Sequence, residues 1–258
     1  MINHEFKKKF GQNFISDKNL IYAICDDASV GKNDDVLEIG AGGGSLTTAL
    51  NEKASKVVSY EIDKDLRQHL TSLNLEKTKF IFGDVMDYSI EEIEKEFAGK
   101  YKMIANLPYY ITTPIIFKFL NGSRKLESLT IMVQKEVAER IVAKEGGKDY
   151  GVLSIMVDFY GNAEISRIVG RKMFFPQPNV DSAVVTIKVE NKYPEIDKNE
   201  FYKFVQCLFS MRRKTVRNNL SQGGYSKEKL ASLGEDVLSA RAEAFSLEKI
   251  IGIYKSVK

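Results

Sequence analysis

Residues 35–50 read Asp-Val-Leu-Glu-Ile-Gly-Ala-Gly-Gly-Gly-Ser-Leu-Thr-Thr-Ala-Leu, a short apolar strand pattern that runs through a glycine-rich turn into a helix. Glycine adopts positive φ without steric cost and lets the backbone approach a ligand closely. The first amides of the helix have no partner within it and offer hydrogen-bond donors. The stretch therefore predicts a strand over 35–39 and a nucleotide site at the turn that carries Gly40 and Gly42.

Three more strand patterns end in polar residues. Residues 56–60 lead to Glu61, 79–82 lead to Gly83 and Asp84, and 101–105 lead to Asn106. Glu61 follows Gly40 by 21 residues, a residue type and spacing suited to accept hydrogen bonds from both hydroxyls of a ribose. Because open α/β sheets bind ligands at the carboxyl ends of their strands, we expect these strand ends to converge on one site.

The spacing of the turn bears on the choice of cofactor. It is Gly-x-Gly-x-Gly, whereas many dinucleotide sites have Gly-x-Gly-x-x-Gly. Asp84 can accept a hydrogen bond from the amine of a cofactor adenine. S-adenosylmethionine therefore fits this frame better than a nicotinamide dinucleotide, and a dinucleotide oxidoreductase is the alternative.

The fourth strand ends at Asn106-Leu107-Pro108-Tyr109-Tyr110. Pro108 restricts its own φ and favours an extended Leu107, so the Asn106 amide and the following carbonyls can point into a cleft together. These oxygens suit a neutral amine that donates hydrogens, and the Tyr109 ring suits the face of a planar heterocycle. The amine of a flipped adenine meets both requirements. The alternative is a strand end followed by a turn with two partly buried tyrosines.

The remaining patterns suggest two domains. Strand patterns at 128–133, 163–169 and 182–189, with a helix over 134–143, extend the α/β pattern. We expect a Rossmann-like doubly wound domain over 1–190, which includes a basic N-terminal arm. Residues 191–198 predict a linker, and the rest shows helical patterning without strand signals, which predicts a small all-helical domain within 191–258.

Basic charge is concentrated at the end of the chain. Residues 198–258 hold twelve Lys or Arg against six Asp or Glu, although the whole chain has a net charge of only +3. Arg212, Arg213, Lys214 and Arg217 place four positive charges within about two helical turns. This cluster suits a phosphate backbone, so we expect the helical domain to bind RNA. The alternative is a solvated helix face.

Composition excludes several classes of protein. No apolar run approaches the roughly 20 residues that span a bilayer, and the basic start lacks an apolar stretch behind it, so we expect a cytoplasmic protein without membrane contact. Cys25 and Cys207 lie far apart and lack metal-ligand spacing, which indicates reduced thiols and no metal site. His4 and His69 are expected outside the converging strand ends and without a catalytic role.

The motifs together resemble those of the ribosomal RNA adenine dimethyltransferases, and they occur in the same order over nearly the whole chain. The last segment resembles the small-subunit type of the family. The segments that carry the resemblance are 11–14, 38–42, Glu61, 83–84, 106–109, 134–137 with Arg140, 150–151, 174–185 and 212–220.

The resemblance implies a role for individual residues. Tyr109 and Phe174 would hold the target adenine between them, although Phe174 could equally be a core residue. The residues implied to line the cofactor site are Asn13, Ile15, Gly40, Glu61, Asp84 and Asn106.

The resemblance also implies a reaction and a partner. S-adenosylmethionine would dimethylate the exocyclic amine of two adjacent adenines near the 3′ end of small-subunit (16S) ribosomal RNA. The partner would be an immature small ribosomal subunit, and the enzyme would bind it as a monomer. The alternatives are a large-subunit methylase of the antibiotic-resistance type and a protein that acts mainly as a small-subunit assembly factor.

Overall fold

The computed structural model describes residues 14–15, 17–108 and 111–258. Asn13 and Tyr109, two of the expected site residues, lie outside these ranges. The chain forms two compact units: the first contains the residues up to Ala138 and Ala163–Glu190, and the second contains Glu139–Asn162 and Asn191–Lys258.

Nine strands occur in the described part of the chain, and those expected from the sequence agree with them to within two residues at each end. They are β1 Phe14–Ile15, β2 Asp35–Ile39, β3 Lys56–Glu61, β4 Thr78–Phe82, β5 Tyr101–Asn106, β6 Leu126–Gln134, β7 Gly161–Val169, β8 Phe174–Phe175 and β9 Ser182–Val189.

Seven of these strands form one sheet in the order β4-β3-β2-β5-β6-β9-β7, while β1 and β8 form a separate antiparallel pair. Strands β2 to β6 are parallel, and β9 is antiparallel to β6. The strand order changes direction at β2, with β3 and β4 on one side and β5 and β6 on the other. Open α/β sheets form their ligand crevice at such a switch point, and the predicted Rossmann-like fold class is confirmed.

Twelve helices occur in the same described ranges. They are α1 Lys18–Asp27, α2 Ser45–Lys53, α3 Arg67–Ser72, α4 Ile90–Glu94, α5 Thr112–Gly122, α6 Lys135–Ile141, α7 Val152–Tyr160, α8 Lys198–Leu208, α9 Val216–Gln222, α10 Lys227–Ala231, α11 Glu235–Ser239 and α12 Leu247–Val257. None of these helices combines the length and the apolar character needed to cross a bilayer.

Helix α7 is not among the elements expected from the sequence. Six of its nine residues are buried, so the stretch lacks the polar face that marks a surface helix. It packs against α8 and α12, with the Phe159 ring stacked on Phe201 at 4.6 Å between centroids. Residues 139–162 therefore group with the helical unit, whereas the sequence analysis assigns them to the domain over 1–190.

Candidate active site

The register of the sheet brings two expected site residues together at the switch point. Ile39, the last residue of β2, lies opposite Tyr60 on β3 and opposite Ala105 on β5. The chain beyond Ile39 therefore starts the glycine turn at Gly40, beside the end of β5 at Asn106. A β-carbon at Gly40 would lie 3.3 Å from the Asn106 carbonyl oxygen, so a side chain there would crowd the strand end.

The glycine turn depends on backbone conformations that favour glycine. Gly40, Gly42 and Gly44 have φ values of +86°, +55° and +79°. Gly42 also faces the ring of Phe14 on β1, because a β-carbon there would lie 2.8 Å from the nearest ring carbon. Glycine is thus required in this turn both by the backbone conformation and by the close approach of neighbouring groups.

Glu61 connects the turn to the end of β3. Its Oε2 accepts a hydrogen bond from the Gly42 amide at 2.8 Å, and its Oε1 accepts one from the Asp63 amide at 2.8 Å. Burial raises the pKa of this carboxyl, while the two amides act against the shift. A carboxylate offers about four acceptor positions, so Glu61 retains capacity for a ribose hydroxyl.

Asp84 follows β4 at the same edge of the sheet. Its Oδ1 accepts a hydrogen bond from the Met86 amide at 2.8 Å and so caps the short 3₁₀ turn Val85–Asp87. The side chain is half-buried, whereas the neighbouring Val85 is buried. The arrangement places a carboxylate beside an apolar surface, which suits the polar edge and the flat face of an adenine.

The carbonyls after β5 differ in their availability. The Pro108 carbonyl accepts hydrogen bonds from the Ile111 amide at 3.1 Å and from the Thr112 hydroxyl at 3.4 Å. These bonds hold the start of α5 to the strand end. Because the Pro108 oxygen already has two donors, the Leu107 carbonyl is the better of the two candidates to accept a substrate hydrogen.

Comparisons with known proteins agree on one family. The family model described as ribosomal RNA adenine dimethylase matches residues 3–257. The chain belongs to the ribosomal RNA adenine dimethylase family. A curated protein of Clostridioides difficile, named ribosomal RNA small subunit methyltransferase A, is 40% identical over 96% of this chain and 89% of its own. A protein of the same name from Caldanaerobacter subterraneus is 45% identical over 96% and 95%.

Two solved structures share the fold at lower identity. A dimethyladenosine transferase from Plasmodium falciparum has a TM-score of 0.82 at 23% identity and covers 94% of this chain and 98% of its own. The 23S rRNA methyltransferase ErmE has a TM-score of 0.71 at 24% identity and covers 95% and 99%. Both likenesses extend over almost the whole fold.

As a member of the adenine dimethylase family, the chain is a methyltransferase whose cofactor is S-adenosylmethionine. The residues present fit this cofactor, since the glycine turn is hydrogen-bonded to the buried carboxylate of Glu61 and a second carboxylate, Asp84, follows a strand at the same edge of the sheet. Within the described ranges, no group of three or more His, Cys, Asp or Glu side chains is arranged to hold a metal ion.

Glu38 is a buried residue of the dimethylase site region to which the sequence analysis assigned no role. Its Oε2 accepts hydrogen bonds from the Thr47 hydroxyl at 2.7 Å and the Ser59 hydroxyl at 2.5 Å, which join β2 to α2 and β3. Its Oε1 is buried and has no partner among the described residues. Burial raises the pKa of this carboxyl to about 7. An acidic residue inside an apolar strand was the available signal.

His69 also contacts the glycine turn, contrary to the expectation that it lies outside the converging strand ends. Its Nε2 is 3.1 Å from the Gly43 carbonyl oxygen. The contact spans 26 residues because α3 packs back over the turn, so it was invisible in the local sequence. The geometry gives His69 a part in holding the turn.

Phe174 and Ile15 are neighbours across the β1–β8 pair, where Ile15 lies opposite Phe174 and Phe14 opposite Phe175. Phe174 is only 4% exposed and packs in the hydrophobic core, with Ile15 against the same cluster. The alternation of side chains along β8 explains this burial, because it turns one ring inward and the next outward. The core position corresponds to the alternative considered for Phe174.

The four basic residues of the helical unit differ in their contacts. Arg212 donates to the carbonyls of Lys148 and Tyr150. Arg217 forms an ion pair with Glu235 at 2.5 Å. The other two, at 213 and 214, are exposed and form no ion pair with a described residue. These two cations are therefore the most available to a phosphate.

Asn219 holds the turn that presents these cations. It is buried, and its Nδ2 donates to the carbonyls of Leu208 at 2.8 Å and Met211 at 3.3 Å. Its Oδ1 accepts from the Ser210 hydroxyl at 3.3 Å. One amide thereby satisfies the backbone where α8 ends, and this explains the value of an asparagine in the segment 212–220.

Proposed function

We propose that this protein transfers methyl groups from S-adenosylmethionine to the exocyclic amines of two adjacent adenines in a loop near the 3′ end of small-subunit (16S) ribosomal RNA, during ribosome biogenesis. The observation that carries the proposal is the position of Asn106, which ends β5 beside the glycine turn. The names of the two curated relatives support the choice of the small-subunit RNA.

The chemistry requires alignment more than activation. The sulfonium of the cofactor activates the methyl group, so the protein has to hold the amine in line with it. The Asn106 side-chain oxygen and the Leu107 carbonyl would accept the two amine hydrogens and direct the nitrogen lone pair toward the methyl. The same acceptors would stabilise the positive charge that develops on the nitrogen during attack.

A second transfer can use the same acceptors. A monomethylated amine retains one hydrogen to donate, and a neutral amide accepts it as readily as before. A single site would therefore serve both transfers. The proton that the amine loses on each methylation would pass to water, so the protein needs no general base. Of the stretch 106–109, Leu107 and Pro108 would contribute backbone carbonyls or their spacing, and Tyr109 would contribute a ring.

The cofactor and the RNA would be held by distinct sets of residues. Tyr109 and Phe174 would hold the target adenine, for which the Phe174 ring would have to leave its core position. The domain over 1–190 would carry the chemistry. The residues proposed to line the cofactor are Asn13, Ile15, Gly40, Gly42, Glu61, Asp84 and Asn106. Within the helical domain over 191–258, the residues proposed to contact RNA phosphates are Arg212, Arg213, Lys214 and Arg217.

The partner would be the immature small ribosomal subunit, bound by a monomer of the enzyme in the cytoplasm. Folded small-subunit RNA presents phosphates in a fixed arrangement together with unpaired loop bases, which is the combination that RNA-binding proteins read. The net basic charge of residues 198–258 supports this partner.

The test is methylation of defined RNAs with isotopically labelled cofactor, followed by mass spectrometry of the nucleosides. Wild-type protein should place two methyl groups on each of two adjacent adenines in immature small subunits. Asn106→Ala should lose activity by a factor of about 10² to 10³, since it removes one acceptor of developing charge. It should bind S-adenosylhomocysteine more weakly than wild type but still measurably in a calorimeter, because Asn106 is one of seven proposed lining residues and the glycine turn and the carboxylates remain.

Two outcomes would redirect the proposal. Methylation confined to naked large-subunit RNA would indicate a methylase of the resistance type. Full rescue of subunit assembly by Asn106→Ala would mean that binding to the particle, and not methylation, is the main role. Tighter binding of a nicotinamide dinucleotide than of S-adenosylhomocysteine would contradict the proposed reaction itself.

A further inference from the structure

The connection between β7 and β9 exposes an unusual amount of apolar surface. Ile168, Met173, Phe175 and Val180 are 53%, 41%, 63% and 41% exposed. In the described chain the only other large apolar side chain as exposed as these is Tyr22 on α1, at 40%. We refer to these four residues, Ile168 near the end of β7 and the other three in the connection, as the 168–180 patch. A segment that collects several exposed apolar side chains is more often a binding surface than an average part of the protein surface is.

The backbone holds the 168–180 patch in place. β8 pairs with β1, so Phe14 lies opposite Phe175 and supports its backbone. The Arg171 amide donates to Asp181 Oδ1 at 3.0 Å, and the Arg171 guanidinium donates to the Asn179 carbonyl at 3.4 Å. These bonds bring Val180 next to the turn that leads into β8. The ring of Phe175 therefore points outward from an anchored segment.

The charge around the patch indicates the kind of partner. Arg171 and Lys172 are exposed within the connection, where Asp181 is the one carboxylate in residues 168–181. One Asp181 oxygen already accepts the Arg171 amide. A projecting aromatic ring next to cations is the combination by which proteins bind unpaired nucleotides, with the base on the ring and the phosphate near the cation. The excess of positive charge favours a partner that carries phosphates over a neutral apolar surface.

We propose that the 168–180 patch binds an unpaired nucleotide adjacent to the target adenine, with its base stacked on Phe175 and its phosphate near Arg171 and Lys172. The inference rests on the proposed function, because it takes ribosomal RNA as the substrate. Phe175 lies opposite Phe14, whose ring packs against the glycine turn at Gly42, so the exposed ring is carried by a strand pair that adjoins the candidate site. The patch would fix the register of the RNA strand and so select which adenine enters.

The decisive measurement compares Phe175→Ala with a matched control, Tyr22→Ala, which removes an exposed ring from α1. We expect KM for the small-subunit RNA to rise about 5- to 150-fold in Phe175→Ala, the loss of one base–aromatic stack, and to stay unchanged in Tyr22→Ala. Binding of S-adenosylhomocysteine should be the same in both variants. Phe175→Trp should restore KM, because it offers a larger stacking face.

A second measurement does not depend on whether the Phe175→Ala variant folds. Lys172→Ala should reduce the slope of log K against log salt for RNA binding by about 0.7 to 0.9, the contribution of one phosphate contact. An unpaired nucleotide next to the target, replaced by fluorescent 2-aminopurine, should be quenched on binding to wild type and not on binding to Phe175→Ala.

Unchanged KM and unchanged quenching in a folded Phe175→Ala would overturn the inference while leaving the proposed function intact. If that variant fails to fold, an unchanged salt slope in Lys172→Ala would overturn it instead. Failure of the proposed function would look different, because wild-type protein itself would then leave small-subunit RNA unmethylated.

Discussion

Replacing Gly42 by alanine tests the positive φ of this residue and its close contact with the Phe14 ring. Gly42 has a φ of +55°, and an alanine in this left-handed region costs about 1–2 kcal/mol. The new methyl would also lie 2.8 Å from the Phe14 ring, so the ring would have to move away from the turn. We therefore expect the free energy of unfolding to fall by more than the backbone cost alone, with a decrease in Tm of about 2–8 °C.

Alanine substitutions at two other glycines distinguish the cost of the backbone conformation from the cost of the contact with the Phe14 ring. Gly146 has a φ of +80° and open space where a methyl would go, so Gly146→Ala should show the backbone cost alone. Gly99 has open space and no positive φ, so Gly99→Ala should change stability by less than about 1 kcal/mol. The excess loss in Gly42→Ala over Gly146→Ala measures the contact with the Phe14 ring.

The assay combines chemical unfolding with calorimetric titration of S-adenosylhomocysteine. Gly42→Ala should weaken this binding at least about tenfold. The turn of the variant would relax out of the left-handed conformation, and restoring that conformation on binding would cost about 1.4 kcal/mol. Gly99→Ala and Gly146→Ala should bind as wild type does. Equal stability and equal affinity in Gly42→Ala and Gly99→Ala would refute the description of the turn.

Three further predictions concern charge and polar contacts. Burial raises the pKa of Glu38 from 4.5 to about 7, so the stability it contributes is complete below pH 4.5 and is lost as the pH rises to 7. The free energy of unfolding of wild type in urea should therefore fall by about 3 kcal/mol over this window relative to Glu38→Gln, and parallel curves would contradict the shift. Arg213→Ala and Lys214→Ala should each reduce the slope of log K against log salt for RNA binding by about 0.7 to 0.9. Arg217→Ala should reduce this slope less, because Arg217 is already ion-paired with Glu235. Equal slopes for the three variants in a salt titration would contradict this difference. Asn219→Ala should lower the free energy of unfolding by about 1–3 kcal/mol, since the buried Leu208 carbonyl and the half-buried Met211 carbonyl lose their donor. An unchanged denaturation midpoint would contradict the role of Asn219 in holding this turn.

Strand ends are the part of the candidate site whose positions follow from local sequence. A buried strand that stops at a polar residue is a local pattern, and parallel strands bring such ends to one edge. This is why Glu61, Asp84 and Asn106 could be selected before the structure was known. The contact between His69 and Gly43 could not, because it depends on how α3 packs over the turn.

The division into units also needed tertiary information. Residues 152–160 are apolar on nearly all sides, so their pattern does not reveal which neighbours cover them. Their place beside α8 and α12 follows from the packing of aromatic rings contributed by distant parts of the chain. A single boundary at residue 191 therefore cannot reproduce the compact unit that joins residues 139–162 to 191–258.

Local sequence alone determined the α/β frame, the family motifs and the residues that close each parallel strand, because strand period, glycine spacing and residue type act over a few positions. The tertiary structure decided that Phe174 faces the core while Phe175 faces solvent, since that choice depends on the pairing of β8 with β1. It also decided that the Pro108 carbonyl accepts hydrogen bonds from residues at the start of α5 and that Arg217 forms an ion pair with Glu235. Hydrogen bonds and ion pairs between distant residues form only when the chain is folded, and they determine which groups remain available to RNA and cofactor.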